Sequence, residues 1–173
     1  MQVIKALSVN ILSFRVLLIL LCIPPLSIGV FSYRPTKLYK CIRVIDGDTV
    51  ILLRGEKRLR VRLVGIDAPE SSQRSLDQIP IGYNSKKFLE NLILNKRVWF
   101  ISQGKGYYGR DLGEIVLGKR SVNLLMLRKG QAVSYYGNTE SKFAQAEYMA
   151  KLKRLGIWET EGFLAPWKFR KLK

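Results

Sequence analysis

Apolar and basic residues alternate along Leu59-Arg60-Val61-Arg62-Leu63. Successive strand side chains point to opposite faces, so this pattern demands a half-buried strand with one apolar and one cationic face. Two β-rich runs precede it, Leu38–Ile45 and Thr49–Leu53, on either side of Asp46-Gly47-Asp48. Arg54-Gly55-Glu56-Lys57 reads as the turn into the alternating strand, which continues to Val64. Two hairpin-like connections thus join three strands at the start of the body. Arg60 and Arg62 share one strand face, and a cation turned into a barrel interior is costly unless it is paired.

The remaining pattern adds two strands and three helices. Gln73–Pro80 reads as a polar loop and Tyr83–Leu94 as a helix, with Phe88, Leu89, Leu92 and Ile93 on one face. Arg97–Ser102 and Leu112–Leu117 are strands four and five, separated by a glycine-rich segment, Gly104–Arg110, that reads as a mobile loop. Val122–Lys129 is a short helix closed by Gly130. Glu140–Leu155 is a longer helix, capped by Thr139 and ended by Gly156. Five strands with interspersed helices make a β-rich α+β fold and fit a five-stranded OB-type barrel with three packed helices. The tail Pro166–Lys171 is basic and aromatic, which suits Trp167 as a clasp on the body with its lysines solvated.

Residues 1–35 are set apart from this body, 36–173. They carry Lys5, Arg15 and Arg34 and no acid, then an apolar run from Val16 to Ile23 and a Pro24-Pro25 break. This is the order of a signal peptide, with Ser27 and Gly29 spaced for cleavage after Gly29. The alternative is an uncleaved anchor, although Val16–Phe31 is shorter than the ~20 apolar residues of a spanning helix and holds two prolines. Either way the body is expected outside the cytoplasm, secreted or membrane-associated. Once Cys22 is removed, only Cys41 remains, so the fold must stand on its core, with Cys41 as a small buried strand residue.

The chain carries 30 Lys and Arg against 13 Asp and Glu, a formal +17, and subtracting the three cations of the first 35 residues leaves +14 on the body. Such a balance points to a polyanionic partner, nucleic acid or an anionic membrane. With no histidine anywhere, a Ser-His-Asp triad, a Cys-His pair and any His-ligated metal are excluded. Two cysteines cannot build a four-thiolate centre. Catalysis must rest on carboxylates, Lys, Arg, Tyr or a hard cation held by oxygens. Asp46 and Asp48, then Asp67 and Glu70, are the acids that stand out. If the first and third strands are neighbours, Asp48 and Asp67 face one site, two carboxylates suited to calcium or magnesium; each also suits an ordinary turn. Arg62 and Arg110 offer guanidinium forks that match phosphate oxygens, or are two of many solvated cations.

Three segments together carry a resemblance. Val44-Ile45-Asp46-Gly47-Asp48-Thr49-Val50, Arg62-Leu63-Val64-Gly65-Ile66-Asp67-Ala68-Pro69-Glu70 and Tyr108-Gly109-Arg110 resemble, in order and internal spacing, the staphylococcal nuclease (thermonuclease) family. The likeness continues through Val122-Asn123, Gly130-Gln131-Ala132 and Ala144-Gln145-Ala146 to Gly156-Ile157-Trp158. It implies an OB-type barrel and a calcium-dependent phosphodiesterase that acts on DNA and RNA, leaves 3′-phosphates and works as a monomer. Carried over by position, Asp48 and Asp67 are metal ligands with the Ala68 carbonyl, and Asp46 supports them. Glu70 is the general base or orients the attacking water, and Arg62 and Arg110 clamp the phosphate. Tyr108 and Tyr136 are candidate substrate contacts. Lys105-Gly106-Tyr107 departs from the acidic residue that many members have near Gly106. A catalytically silent OB-type nucleic-acid-binding module is the alternative; intact Arg62, Glu70 and Arg110 argue against it, because binding alone needs no base. A membrane-surface protein would explain the charge and the N-terminus but not an acidic cluster among arginines.

Overall fold

A computed structural model describes residues 37–172 apart from 76, 78 and 136–140. The signal-or-anchor expectation for residues 1–35 therefore lies outside the described residues, as do Tyr136 and the helix cap Thr139. Among the described residues no helix is long and apolar enough to cross a membrane.

Strands β1 (Lys37–Asp46), β2 (Thr49–Arg54) and β3 (Lys57–Leu63) form the antiparallel meander that the alternation dictates. A two-residue β4 (Ile66–Asp67) follows, then helix α1 (Ile81–Ile93). Strands β5 (Arg97–Lys105), β6 (Asp111–Leu117) and β7 (Arg120–Ser121) complete the main sheet in the order β3-β2-β1-β5-β6-β7. A parallel pairing of β3 with β6, Val61 opposite Asp111 and Leu63 opposite Gly113, closes β1, β2, β3, β5 and β6 into a five-stranded barrel. Helices α2 (Val122–Arg128), α3 (Ser141–Leu152) and α4 (Pro166–Phe169) follow, with β8 (Val133–Ser134) between the first two.

Inward positions fill one core. Cys41, Val50, Leu52, Val61, Leu63, Val98 and Ile115 are almost solvent-free, and Leu89 and Ile93 of α1 and Met126 and Leu127 of α2 cap them. On β3 the apolar residues point inward and Arg58, Arg60 and Arg62 outward, so no cation enters the barrel. Cys41 is buried and free, as its strand position implied.

Three expectations are corrected. The first and third strands are not neighbours, because β2 lies between them; the aspartates meet by another route, described below. The glycine-rich loop is shorter than expected: β5 runs on to Lys105 opposite Asp111, a bulge between Ser102 and Gly104 absorbs the register change at a backbone φ of +115° for Gly104, and Lys105 Nζ bonds Asp111 at 2.7 Å, which leaves residues 106–110 as the connection. The helix expected to reach Leu155 stops at Leu152. Arg154 takes the left-handed conformation that ends it, φ +50°, and the Leu155 amide bonds back to the Ala150 carbonyl. Gly156 acts one turn later. Its missing Cβ lets it approach within 2.3 Å, measured from where that Cβ would stand, of the Gly130 carbonyl.

Candidate active site

The site is built where the β1–β2 turn meets the chain leaving β3. Asp46 ends β1, and its Oδ1 accepts the Asp48 amide at 3.1 Å, a local Asx contact that turns the chain. Asp48 is 1% exposed, and its carbonyl accepts the Leu63 amide at 2.8 Å, tying the turn to the end of β3. After a turn at Gly65, β4 pairs with β8, Asp67 opposite Val133, which holds Asp67 over the barrel end. Asn123, wholly buried on α2, fixes that return. Its amide donates to the Val64 carbonyl at 2.9 Å and its oxygen accepts the Ile115 amide at 3.1 Å. Asp48 is thus brought to the end of β3 by the β2–β3 pairing, and β4 with α2 returns Asp67 to meet it.

Arg62 lies between them. One of its terminal nitrogens pairs with Asp48 Oδ1 and the other donates to Asp67 Oδ1 at 2.8 Å. Asp48 is saturated besides: Oδ1 accepts the Thr49 hydroxyl at 3.0 Å and Oδ2 the Ala68 amide at 2.7 Å. Both carboxylates are about 1% exposed, so their charges stand only because these donors replace water. Burial pushes the Asp46 carboxyl above its ordinary value, opposed by the Arg62 guanidinium.

Glu70 is placed by close packing. The Gln73 amide bonds its carbonyl at 2.7 Å. Gly82 on the first turn of α1 lies so near that a Cβ there would stand 1.6 Å from the Glu70 carbonyl oxygen. Gly47, between the two turn aspartates, is also closely packed, since its Cβ would meet the Ser85 hydroxyl oxygen at 2.1 Å and the Ala68 Cβ at 2.7 Å. Arg110 leaves a single 3₁₀ turn, Tyr107–Gly109. Its Nε donates to the Tyr107 carbonyl at 3.3 Å, and the Gly106 amide closes the turn on the Arg110 carbonyl at 2.8 Å.

Asp46, Arg62, Glu70 and Arg110 line one open cleft of about 900 Å³, with Arg60, Lys105, Tyr107 and Tyr135. The structure therefore gathers these sequence candidates, and Arg62 links the cleft to the buried Asp48 and Asp67, with the Ala68 amide bonded to Asp48. Of the tyrosines, Tyr107 rather than Tyr108 lines the cleft. Tyr108 is 90% exposed at φ +60°, with the Arg110 guanidinium 5.9 Å from its ring centroid. Tyr136 is not among the described residues; its neighbour Tyr135 is on the cleft wall.

One residue escaped the sequence reading. Arg170, in the C-terminal tail, donates to Asp67 Oδ2 at 2.7 Å and Oδ1 at 3.2 Å, and to Glu70 Oε1 at 3.2 Å. Its bonds to Asp67 raise its own pKa further above the ordinary arginine value. The tail's Pro-Trp pair was readable as a clasp, and Trp167 does pack with Trp158 and Phe163 on Ile81, Val133 and Ile157. Nothing in the tail's composition tells which of its cations returns to the site.

Comparison with known proteins settles the lineage. The family described as "Staphylococcal nuclease homologue" matches residues 60–160. This chain belongs to the staphylococcal nuclease family. It is 34% identical to an uncharacterized endonuclease of Haemophilus influenzae, over 76% of this chain and 72% of that protein. It is 31% identical to a micrococcal nuclease of Shigella flexneri, over 75% and 78%, and 33% identical to a thermonuclease of Staphylococcus intermedius, over 70% and 76%. As a member of a family of hydrolytic nucleases, the chain is an enzyme.

Proposed function

We propose that this nuclease hydrolyses phosphodiester bonds of DNA and RNA with little sequence preference, requires calcium and leaves 3′-phosphate ends. The observation that carries this reading is that Arg62, ion-paired to the buried Asp48 and Asp67, lines one cleft with Glu70 and Arg110. An anion-binding site alone would not bury two carboxylates under the arginine.

The donor chemistry fits a hard cation. Asp48 and Asp67 offer oxygens only, and the Ala68 carbonyl and water would complete the shell. Among the described residues no group of three or more His, Cys, Asp and Glu side chains could hold a metal ion, so those further oxygens are needed. When bound, calcium would supply positive charge beside a phosphoryl oxygen. Glu70, 37% exposed at the cleft, accepts the proton of the attacking water, or orients that water. Arg62 and Arg110 donate to phosphoryl oxygens whose charge grows in the transition state. The bond to the 5′-oxygen breaks, leaving the phosphate on the 3′-side. Asp46 holds the Asp48 turn in place. Tyr107, Tyr108 and Tyr135 offer sequence-tolerant stacking surfaces for bases, and Tyr136 is a candidate from sequence alone. The protein acts as a monomer, exported by its first 35 residues and either released or kept at the membrane.

The test is degradation of denatured DNA by the full chain in neutral detergent, with calcium and then with a chelator. Calcium-dependent cleavage to 3′-phosphate ends is the expected result. The Glu70→Gln variant should bind DNA as wild type while losing ~3–4 kcal/mol of transition-state stabilisation, on the order of a hundredfold or more in kcat. Wild-type turnover by that variant would remove Glu70 from the mechanism. Binding without cleavage by the wild-type chain would assign it to silent binding modules.

A further inference from the structure

We propose that Arg170 is an intramolecular counter-cation of the candidate catalytic carboxylates, and that the C-terminal turn carrying it is a latch that a divalent cation must release. The inference rests on the reading of Asp48 and Asp67 as cation ligands. The family match ends at residue 160, ten residues before Arg170.

Charge and lone pairs make the two cations rivals. Asp67 is 1% exposed, and the Arg170 fork takes up both of its oxygens, while Glu70 receives the remaining bond. Arg62 alone cannot neutralise Asp48, Asp67 and Glu70, and Arg170 supplies the second positive charge. A divalent ion on Asp67 would claim the same oxygens and stand beside a fixed guanidinium, so the two cannot both bind fully. Arg170 also bonds the carboxylate assigned as base. While the latch is seated, Glu70 is occupied.

The tail is built to let one end go. Its upstream part is pinned: Gln73 Nε2 donates to the Leu164 carbonyl at 2.7 Å, Pro166 is buried and Trp167 packs on Ile157 and Val133. Its downstream part is not, since Arg170 is 39% exposed and Leu172 is 77% exposed. Release therefore needs only the 3₁₀ turn Arg170–Leu172 to swing away, with the clasp left in place. The Gln73 amide also bonds the Glu70 carbonyl, so clasp and base share one support.

Calcium binding to the full chain, in neutral detergent and without substrate, is measured by titration calorimetry for wild type, Arg170→Ala and Arg170→Lys. Thermal melts establish that all three are folded. The Arg170→Ala variant should bind calcium ~10-fold more tightly, within the roughly 5–150-fold range of coupled sites. Arg170→Lys, which lacks the bidentate fork, should fall between. In wild type, calcium should speed amide exchange at residues 170–172 and leave 164–167 unchanged. Equal or weaker calcium binding by Arg170→Ala overturns the latch and leaves the nuclease reading intact. If that equality comes with a raised KM for DNA, Arg170 serves substrate instead. Absence of calcium binding in all three would overturn the latch together with the calcium reading beneath it.

Discussion

The contact between Gly82 and Glu70 separates local propensity from tertiary packing, because the two predict opposite signs for one substitution. Gly82 lies in the first turn of α1, where alanine is the better helix former and removes backbone freedom from the unfolded chain, together worth up to about 1 kcal/mol. In the folded protein a Cβ at this position would stand 1.6 Å from the Glu70 carbonyl oxygen, and real Cβ contacts essentially never fall below 3.0 Å. The obstacle is backbone, so no rotamer change relieves it, and one of the two segments must move by about 1.4 Å. Overpacking of this kind costs roughly 1–3 kcal/mol, which outweighs the propensity gain. The displaced segment carries Glu70, and a misplacement of about 1 Å at a catalytic group costs on the order of a hundredfold in rate. Gly82→Ala should therefore lower the melting temperature and reduce kcat/KM on denatured DNA by about two orders of magnitude. A variant as stable as wild type with full activity would refute the packing argument and the role given to Glu70.

Asp48→Ala removes the partner of Arg62, Thr49 and the Ala68 amide at once, and should cost about 3 kcal/mol of unfolding free energy in a denaturant titration. It should also move half-maximal activity to much higher calcium; an unchanged calcium titration would show that the assigned site is wrong. Burial raises the Cys41 thiol from 9.0 to about 11, so native protein at pH 8 should resist alkylation at Cys41, as read by peptide mapping, and react once unfolded. The unfolded thiol ionises first, so Cys41 leaves stability unaffected below pH 9 and lowers it as pH rises toward 11. Arg58 and Arg60 continue outward from Arg62 along one face of β3, and a paired Arg58→Gln and Arg60→Gln change should lower the salt slope of single-strand binding by about 1.4 if each arginine meets one phosphate. An unchanged slope would place the strand elsewhere.

Local chemistry made much of this legible. The alternation on β3 fixed which residues enter the core, and Asp-Gly-Asp marked the turn, because both depend on neighbours in the chain. The site residues Asp48, Arg62, Asp67, Glu70 and Arg110 were readable because their spacing matched a known family, not because spacing alone brings them together. The expected route was mistaken in its strand: β2, not β1, neighbours β3 and brings Asp48 to its end, while the β4–β8 pair and Asn123 deliver Asp67. The loop expected at Gly104–Arg110 begins two residues late, because glycine composition reports freedom, whereas the pairing of Gly104 and Lys105 with Leu112 and Asp111 lies across a hairpin.

The sequence by itself determined a β-rich body, a histidine-free chemistry of carboxylates and arginines, and a strongly cationic charge, since strand period, side-chain inventory and charge are additive along a chain. Only the tertiary structure decided that Gly82 must be glycine and that Arg170 sits on Asp67 and Glu70. Those facts depend on which surfaces meet after the barrel closes, and a contact spanning 103 residues leaves no local pattern for a sequence to display.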